Sequence, residues 1–202
     1  MIVGCDIAKH TDWTVCIAID AKTGLCLEIE RFNQLDWPVQ RERIAAFVKR
    51  WQARLVMDAT GVGDPVFDDL RRVLPHVEGF KITAQTKREL VQGLMVAVEQ
   101  RRVMWPAASQ GVVRSEELGV GGTPGGNWEV LTAEMKRYEY EIGPTGQVSY
   151  AAPSGYHDDC VMALALAVWG CRTFGVEPGR MLRLASGGQR SDIGGRRSVT
   201  LA

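Results

Sequence analysis

The sequence predicts an α/β domain on a mixed β-sheet, with antiparallel first three strands, then parallel crossovers, and helices flanking the sheet. Three observations carry that prediction. Residues 2–32 hold three apolar or alternating runs separated by tight turn signals, with no helical stripe between them. From Asp36 onward, helix-spaced apolar stripes alternate with short apolar runs, which is the pattern of crossover connections. The last strongly apolar stretch, Val161 to Trp169, is apolar on every side and suits a helix buried against a sheet.

In order, residues 2–8 read as the first strand and Thr14–Ile19 as the second, with Lys9-His10-Thr11-Asp12 as the turn between them. Ala21–Gly24 turns into a third strand near Leu25–Phe32. Asp36 and Pro38 suit the cap and first turn of a helix whose stripe is Val39, Ile44, Phe47, Val48 and Trp51. Leu55-Val56-Met57 is a short strand ending on Asp58, followed by the glycine-containing loop Ala59–Gly63. Asp64-Pro65 opens a helix to about Val73, and Val77–Ile82 is a strand. A long helix from Thr86 to Arg101 buries Leu90, Val91, Leu94, Met95 and Val98. Residues 107–127 carry six glycines and Pro124 and read as a long flexible insertion. Leu131–Ile142 reads as either helix or strand; the alternation Tyr138-Glu139-Tyr140-Glu141 favours a strand-rich hairpin, turning at Gly143–Gly146 and returning along Val148–Ala151. The closing helix starts near His157. Residues 1–172 then form one domain, and 173–202 a flexible Gly-, Arg- and Ser-rich tail.

Composition narrows the function classes. No run approaches the roughly 20 apolar residues that span a bilayer, and no secretory signal precedes the first strand. Five cysteines, an odd number without CxxC spacing, speak for buried reduced thiols rather than a zinc site. Net charge is zero, but from Thr173 five arginines face two acids, a local excess of +3. A nucleic-acid enzyme fits if its acids crowd a metal site and its bases line the groove.

The chemistry lies in the carboxylates. Asp6 sits near the end of an apolar strand, where a core gains nothing from it. Asp58 ends the strand after the first helix, and the two strands should pair and bring both acids together. Asp158 and Asp159 open the buried closing helix, where one acid is accounted for by the helix dipole but two are not. Hard oxygen ligands suit Mg²⁺ or Mn²⁺. Two such ions about 3.5–4 Å apart can activate a water and stabilise the leaving oxygen of an in-line displacement. Asp6 would be shared by both ions, Asp58 would hold one, and Asp159 or Asp158 the other. The plainer alternatives are a turn bond for Asp58 and helix capping for Asp158 or Asp159. Asp12 suits a turn, although it lies close to the first strand. Lys87, Arg88 and His157 are candidates to meet a phosphate, and equally suit a solvated helix face or a cap.

Gly4-Cys5-Asp6-Ile7-Ala8 with Asp12 and Thr14, Met57–Gly63, Lys87-Arg88 opening a helix that leads to Val103-Met104-Trp105-Pro106, and His157-Asp158-Asp159 before Ala163–Ala167 occur in a telling order. In these the chain resembles the C-terminal nuclease domain of the tailed-bacteriophage terminase large subunit, of the ribonuclease H-like superfamily, over about residues 2–172. The resemblance implies metal-dependent cutting of concatemeric viral DNA during genome packaging, in the cytoplasm of a bacterial host. It also implies Asp6, Asp58 and Asp159 as catalytic metal ligands with Asp158 beside them. Double-stranded DNA, an ATPase motor domain or subunit, the portal and the small terminase subunit would be partners. Family members carry a motor before the nuclease, which these residues lack, so an excised domain or a stand-alone nuclease subunit is expected. The rivals are a structure-selective endonuclease of the Holliday-junction resolvase type, a non-catalytic DNA-binding or assembly module, and half of an actin- or sugar-kinase-like pair.

Overall fold

A computed structural model of the chain describes residues 1–8, 12–61, 63–106, 126–142, 148–153 and 155–175. Its elements run β1 (Ile2–Asp6), β2 (Thr14–Ile19), β3 (Cys26–Phe32), α1 (Trp37–Arg50), β4 (Arg54–Asp58), α2 (Gly63–Val73), β5 (Val77–Phe80) and α3 (Ala84–Glu99). After α3 come α4 (Asn127–Arg137), β6 (Glu139–Ile142), β7 (Val148–Ala151) and α5 (Asp159–Thr173). The main sheet has the order β3-β2-β1-β4-β5. β1, β2 and β3 pair antiparallel, while β4 joins β1 and β5 joins β4 in parallel. This is the mixed sheet that the sequence predicts.

Two cores sandwich the sheet. Leu90, Val91 and Leu94 of α3, Leu131 of α4 and nearly all of α5 pack with Ile2, Val15, Ile17 and Val56 on one face. Ile44, Phe47 and Val48 of α1 and Val66 and Leu70 of α2 pack with Val3, Cys5, Leu55 and Met57 on the other. All five cysteines are buried and free. Among the described residues, no helix is long and apolar enough to cross a membrane.

α5 can lie so close to β1 because Gly4 has no side chain. A β-carbon there would sit 2.0 Å from the Ala163 carbonyl oxygen and 2.4 Å from the Ala167 nitrogen. The contact is therefore backbone on backbone.

Several local expectations change. The segment Leu131–Ile142 is half helix: α4 runs to Arg137, and only then does β6 pair with β7 from Glu139↔Ala151 to Ile142↔Val148. Burial decides this, because Trp128, Leu131 and Met135 recur at helical spacing and pack on the α5 core. In α1, Val39 is exposed and Gln40 is buried in its place. In α3, Met95 is exposed, and Ala97 is buried. That helix starts two residues before Thr86, where Thr83 and Thr86 form a capping box. Asp36 holds the N-cap position of α1, but its side chain makes no cap bond. α5 extends through Thr173, whereas the insertion at 107–125 and the tail from 176 lie outside the described residues.

Candidate metal centre

Alternation along the strands decides which carboxylates meet. In β1, Ile2 packs on the α5 side and Val3 and Cys5 on the α1–α2 side, so Gly4 and Asp6 face α5. In β4, Val56 packs on the α5 side and Leu55 and Met57 opposite, so Asp58 shares the face of Asp6. The parallel register pairs Cys5 with Met57 and leaves Asp6 and Asp58 side by side at the ends of adjacent strands. α5 packs on β1 and β2 and brings Asp159, which is 7% exposed, to the same face.

The local electrostatics record the crowding. Burial pushes the Asp6 carboxyl well above the usual range, the charges of Asp159, Asp58 and Asp158 push it the same way, and Lys87 pulls it back. Asp159 is pushed up to about 6, by burial first; the Trp13 N–H and His157 lower it, and Asp12 and Asp158 raise it. Tyr138, near Asp158, has its phenol pushed up by burial and by that carboxylate. Acids held together against their own repulsion form an all-oxygen donor set, and that set fits a hard divalent cation.

Each acid has its own restraint. Asp58 Oδ1 accepts the Thr60 N–H at 2.8 Å, so the turn bond raised as the plainer alternative exists. Asp159 Oδ2 accepts the Trp13 N–H at 3.2 Å. Asp158 occupies the N-cap position of α5 without capping it, because its Oδ2 lies 2.9 Å from Lys87 Nζ. Lys87 thus faces an acid at the start of α3, and Arg88 follows it on the same helix, half-buried. His157 Nδ1 stands 3.3 Å from Asp12 Oδ1 and 3.6 Å from Asp159 Oδ2. Asp12, His157 and Asp159 each offer a ligand atom within 4.8 Å of the others. Asp12 therefore belongs to the site's rim rather than only to a turn.

Two supports escape sequence reasoning. The turn after β1 is anchored by Gln40, whose Nε2 donates to the Ala8 carbonyl at 3.2 Å and the Leu35 carbonyl at 2.8 Å. Gln40 Oε1 accepts from Thr14 Oγ1 at 2.8 Å, and Thr14 Oγ1 in turn accepts the Ala8 N–H at 3.0 Å. The second support is Glu134 of α4, whose Oε2 accepts the N–H groups of Cys160 and Val161 at 2.8 and 3.3 Å. A polar residue inside an apolar helical stripe was the available signal for both. A hollow of about 370 Å³ between α3 and α5 is lined by Glu89, Gln92, Gly93, Arg102 and Arg172 and holds none of the clustered acids. The chemistry follows the carboxylates, not the volume.

Known proteins match this arrangement. The family model described as the Terminase RNaseH-like domain matches residues 3–169. The terminase large subunit of Thermus virus P23-45 is 26% identical over 172 residues, covering 82% of this chain and 30% of that protein. The chain thus spans about 30% of the length of the curated relatives it matches. The crystal structure of the large terminase nuclease from thermophilic phage G20c with bound magnesium superposes with a TM-score of 0.67 at 25% identity, covering 83% of this chain and 79% of that one. The Thermus phage P74-26 large terminase nuclease domain shares the fold, with a TM-score of 0.64 at 23% identity over 82% of this chain and 76% of that one.

Proposed function

The chain belongs to the Terminase RNaseH-like domain family, and on that premise we propose that it is a metal-dependent endodeoxyribonuclease cutting concatemeric viral DNA during genome packaging. One observation carries the reading: Asp6, Asp58 and Asp159, from three separate elements, share one face of the sheet, and burial together with the charges of Asp159 and Asp58 raises the proton affinity of Asp6. The neighbour from phage G20c that holds magnesium supports the choice of cation.

The carboxylates suit Mg²⁺ or Mn²⁺, two ions being the expected complement, and Asp6, Asp58 and Asp159 would hold them. When bound, the ions activate the attacking water and stabilise the leaving oxygen of the phosphodiester. The chain's own residues set the geometry. Thr60 orients Asp58, Trp13 orients Asp159, and Lys87 neutralises Asp158. We take Asp159 as the primary ligand of the closing helix, a reading supported by the Lys87 contact that occupies Asp158 beside it. His157, with Asp12, stands at the rim where it can meet a phosphate, and Lys87 and Arg88 at the start of α3 are candidates for the same task.

Residues 1–172 are taken as the nuclease unit, and 173–202, with five arginines, as an added DNA-binding tail. Double-stranded DNA, an ATPase motor domain or subunit, the portal and the small terminase subunit are the proposed partners, in the host cytoplasm.

The test is nicking of supercoiled plasmid in Mg²⁺ or Mn²⁺ by the parent and by Asp6→Asn, Asp58→Asn and Asp159→Asn. A drop of at least about 100-fold is expected for each, since even outer-shell changes at metal sites cost 10–100-fold. Undiminished cleavage by these variants, or cleavage in excess chelator, would overturn the reading. Preference for a four-way junction over linear duplex would move it to the junction-resolving class.

A further inference from the structure

We propose that Glu134 is a positioning residue for the metal centre: by capping the start of α5 from outside, it fixes how Asp159 presents its carboxylate. The inference rests on the metal-centre reading above and adds a residue that touches neither cation nor DNA.

The first turn of any helix leaves N–H groups without intrahelical partners, and the residue before it usually supplies the acceptor. Here that residue is Asp158, and it is held by Lys87 instead. Glu134 takes over, reaching in from α4 to accept from Cys160 and Val161, the two residues that directly follow Asp159. The division leaves Asp158 to Lys87 and Asp159 to the Trp13 N–H, with neither carboxylate spent on capping the helix.

Glu134 is 8% exposed, and a buried carboxylate is costly unless its charge is matched. Burial pushes the carboxyl up from its usual range, and two N–H groups, the positive end of the α5 dipole and the charge of Arg31 offset that in part. The Arg31 guanidinium in turn lies 4.4 Å over the Trp13 ring, and the Trp13 N–H donates to Asp159. Asp159 is therefore gripped from both sides, through Trp13 by β3 and through its own helix by α4. Packing alone does not explain the acid. Its Oε1 is buried without a hydrogen-bond partner among the described residues, and an apolar side chain would fill the position at lower cost.

The test compares the parent with Glu134→Ala, Glu134→Gln and Glu134→Asp, measuring Mn²⁺ affinity by titration calorimetry and the Mn²⁺ dependence of plasmid nicking. Glu134→Ala should raise the half-saturating Mn²⁺ concentration by about 10-fold, the lower end for groups that orient metal ligands. Its cleavage rate at saturating Mn²⁺ should recover most of the parent's. Glu134→Gln, which keeps an acceptor, should stay within about 3-fold of the parent. A structural role alone would lower thermal stability and leave the affinity of the folded protein unmoved. If the Ala variant is insoluble, Glu134→Asp decides, because it keeps the charge but withdraws the acceptor by about 1.5 Å. Unchanged affinity in whichever of these two variants folds overturns the proposal. A Gln variant as weak as Ala also overturns it, since charge and not the cap would then be responsible. A parent that neither binds Mn²⁺ nor cleaves refutes the metal centre itself, and is told apart by that.

Discussion

Lys87 Nζ lies 2.9 Å from Asp158 Oδ2, joining the first turn of α3 to the residue that precedes α5. Both side chains are less than a third exposed, at 29% and 25%. The pair is therefore a partly dry contact between two elements that flank the acid cluster, and the lysine is the cation that lowers the proton affinity of Asp6.

Replacing Lys87 by Met removes that cation and leaves Asp158 charged. Urea unfolding in chelator at neutral pH should show a loss of about 1–2 kcal/mol, in the range of hydrogen bonds to charged groups. Added Mg²⁺ should shrink the loss, because it supplies positive charge to the same acids. A loss equal in both conditions would separate the lysine from the cluster.

Asp159→Asn should stabilise the metal-free protein above pH 6 while removing cleavage. The folded carboxyl is pushed up to about 6, above the unfolded value near 4, so the fold prefers its protonated form. That preference favours the folded state fully below about pH 4 and is lost as pH rises through about 6. The Asn variant does not titrate and keeps the Trp13 bond through its amide oxygen. Its advantage in denaturant midpoint should grow across that window to at most about 3 kcal/mol, and vanish at pH 4. An advantage independent of pH would contradict this.

Gly4→Ala should be among the most damaging substitutions of the fold. Its β-carbon meets backbone at 2.0 Å, which no side-chain rotation relieves, so a loss of more than about 3 kcal/mol or insoluble protein is expected. Gly61→Ala is the contrast, with φ of +59° and nothing within 4 Å of the added carbon. It should cost only about 1 kcal/mol, the left-handed backbone penalty. Equal effects by thermal unfolding would show that close approach is not what matters at Gly4.

Gln40→Leu should loosen the turn after β1. The change leaves the Leu35 carbonyl without this donor and the Ala8 carbonyl with the Thr14 hydroxyl at 3.3 Å, and a loss of about 2 kcal/mol follows. Amide exchange at Ala8 should accelerate more than exchange in α2, which lies apart from that network. Uniform acceleration would assign Gln40 to global stability alone.

The sheet order and the clustering of Asp6 with Asp58 were legible because both depend on short-range signals: turn residues, period-two alternation and an acid at the end of an apolar run. Asp158 and Asp159 both read as ligands with capping as the alternative for either; the partner that sets Asp158 apart, Lys87, lies 71 residues away and no local pattern announces it. Glu134 was passed over for the same reason, and also because Tyr138 onward alternates like a strand and drew its neighbours into that assignment. Gln40 carries no local signal beside the Val39 stripe, yet it is buried with three side-chain hydrogen bonds while Val39 is exposed. Where long-range hydrogen bonds decide, periodicity falls silent.

The backbone contact at Gly4 has an energetic meaning for the acid cluster. Repelling charges on two elements ordinarily relax by drifting apart, yet β1 and α5 are seated against each other with no side chain between them to yield. The repulsion between Asp6 and Asp159 therefore cannot relax by separation and is met by proton uptake, the direction in which both carboxyls are shifted. On the proposed reading a cation arriving at these acids would take the place of those protons, so its binding would release them and would weaken as pH falls.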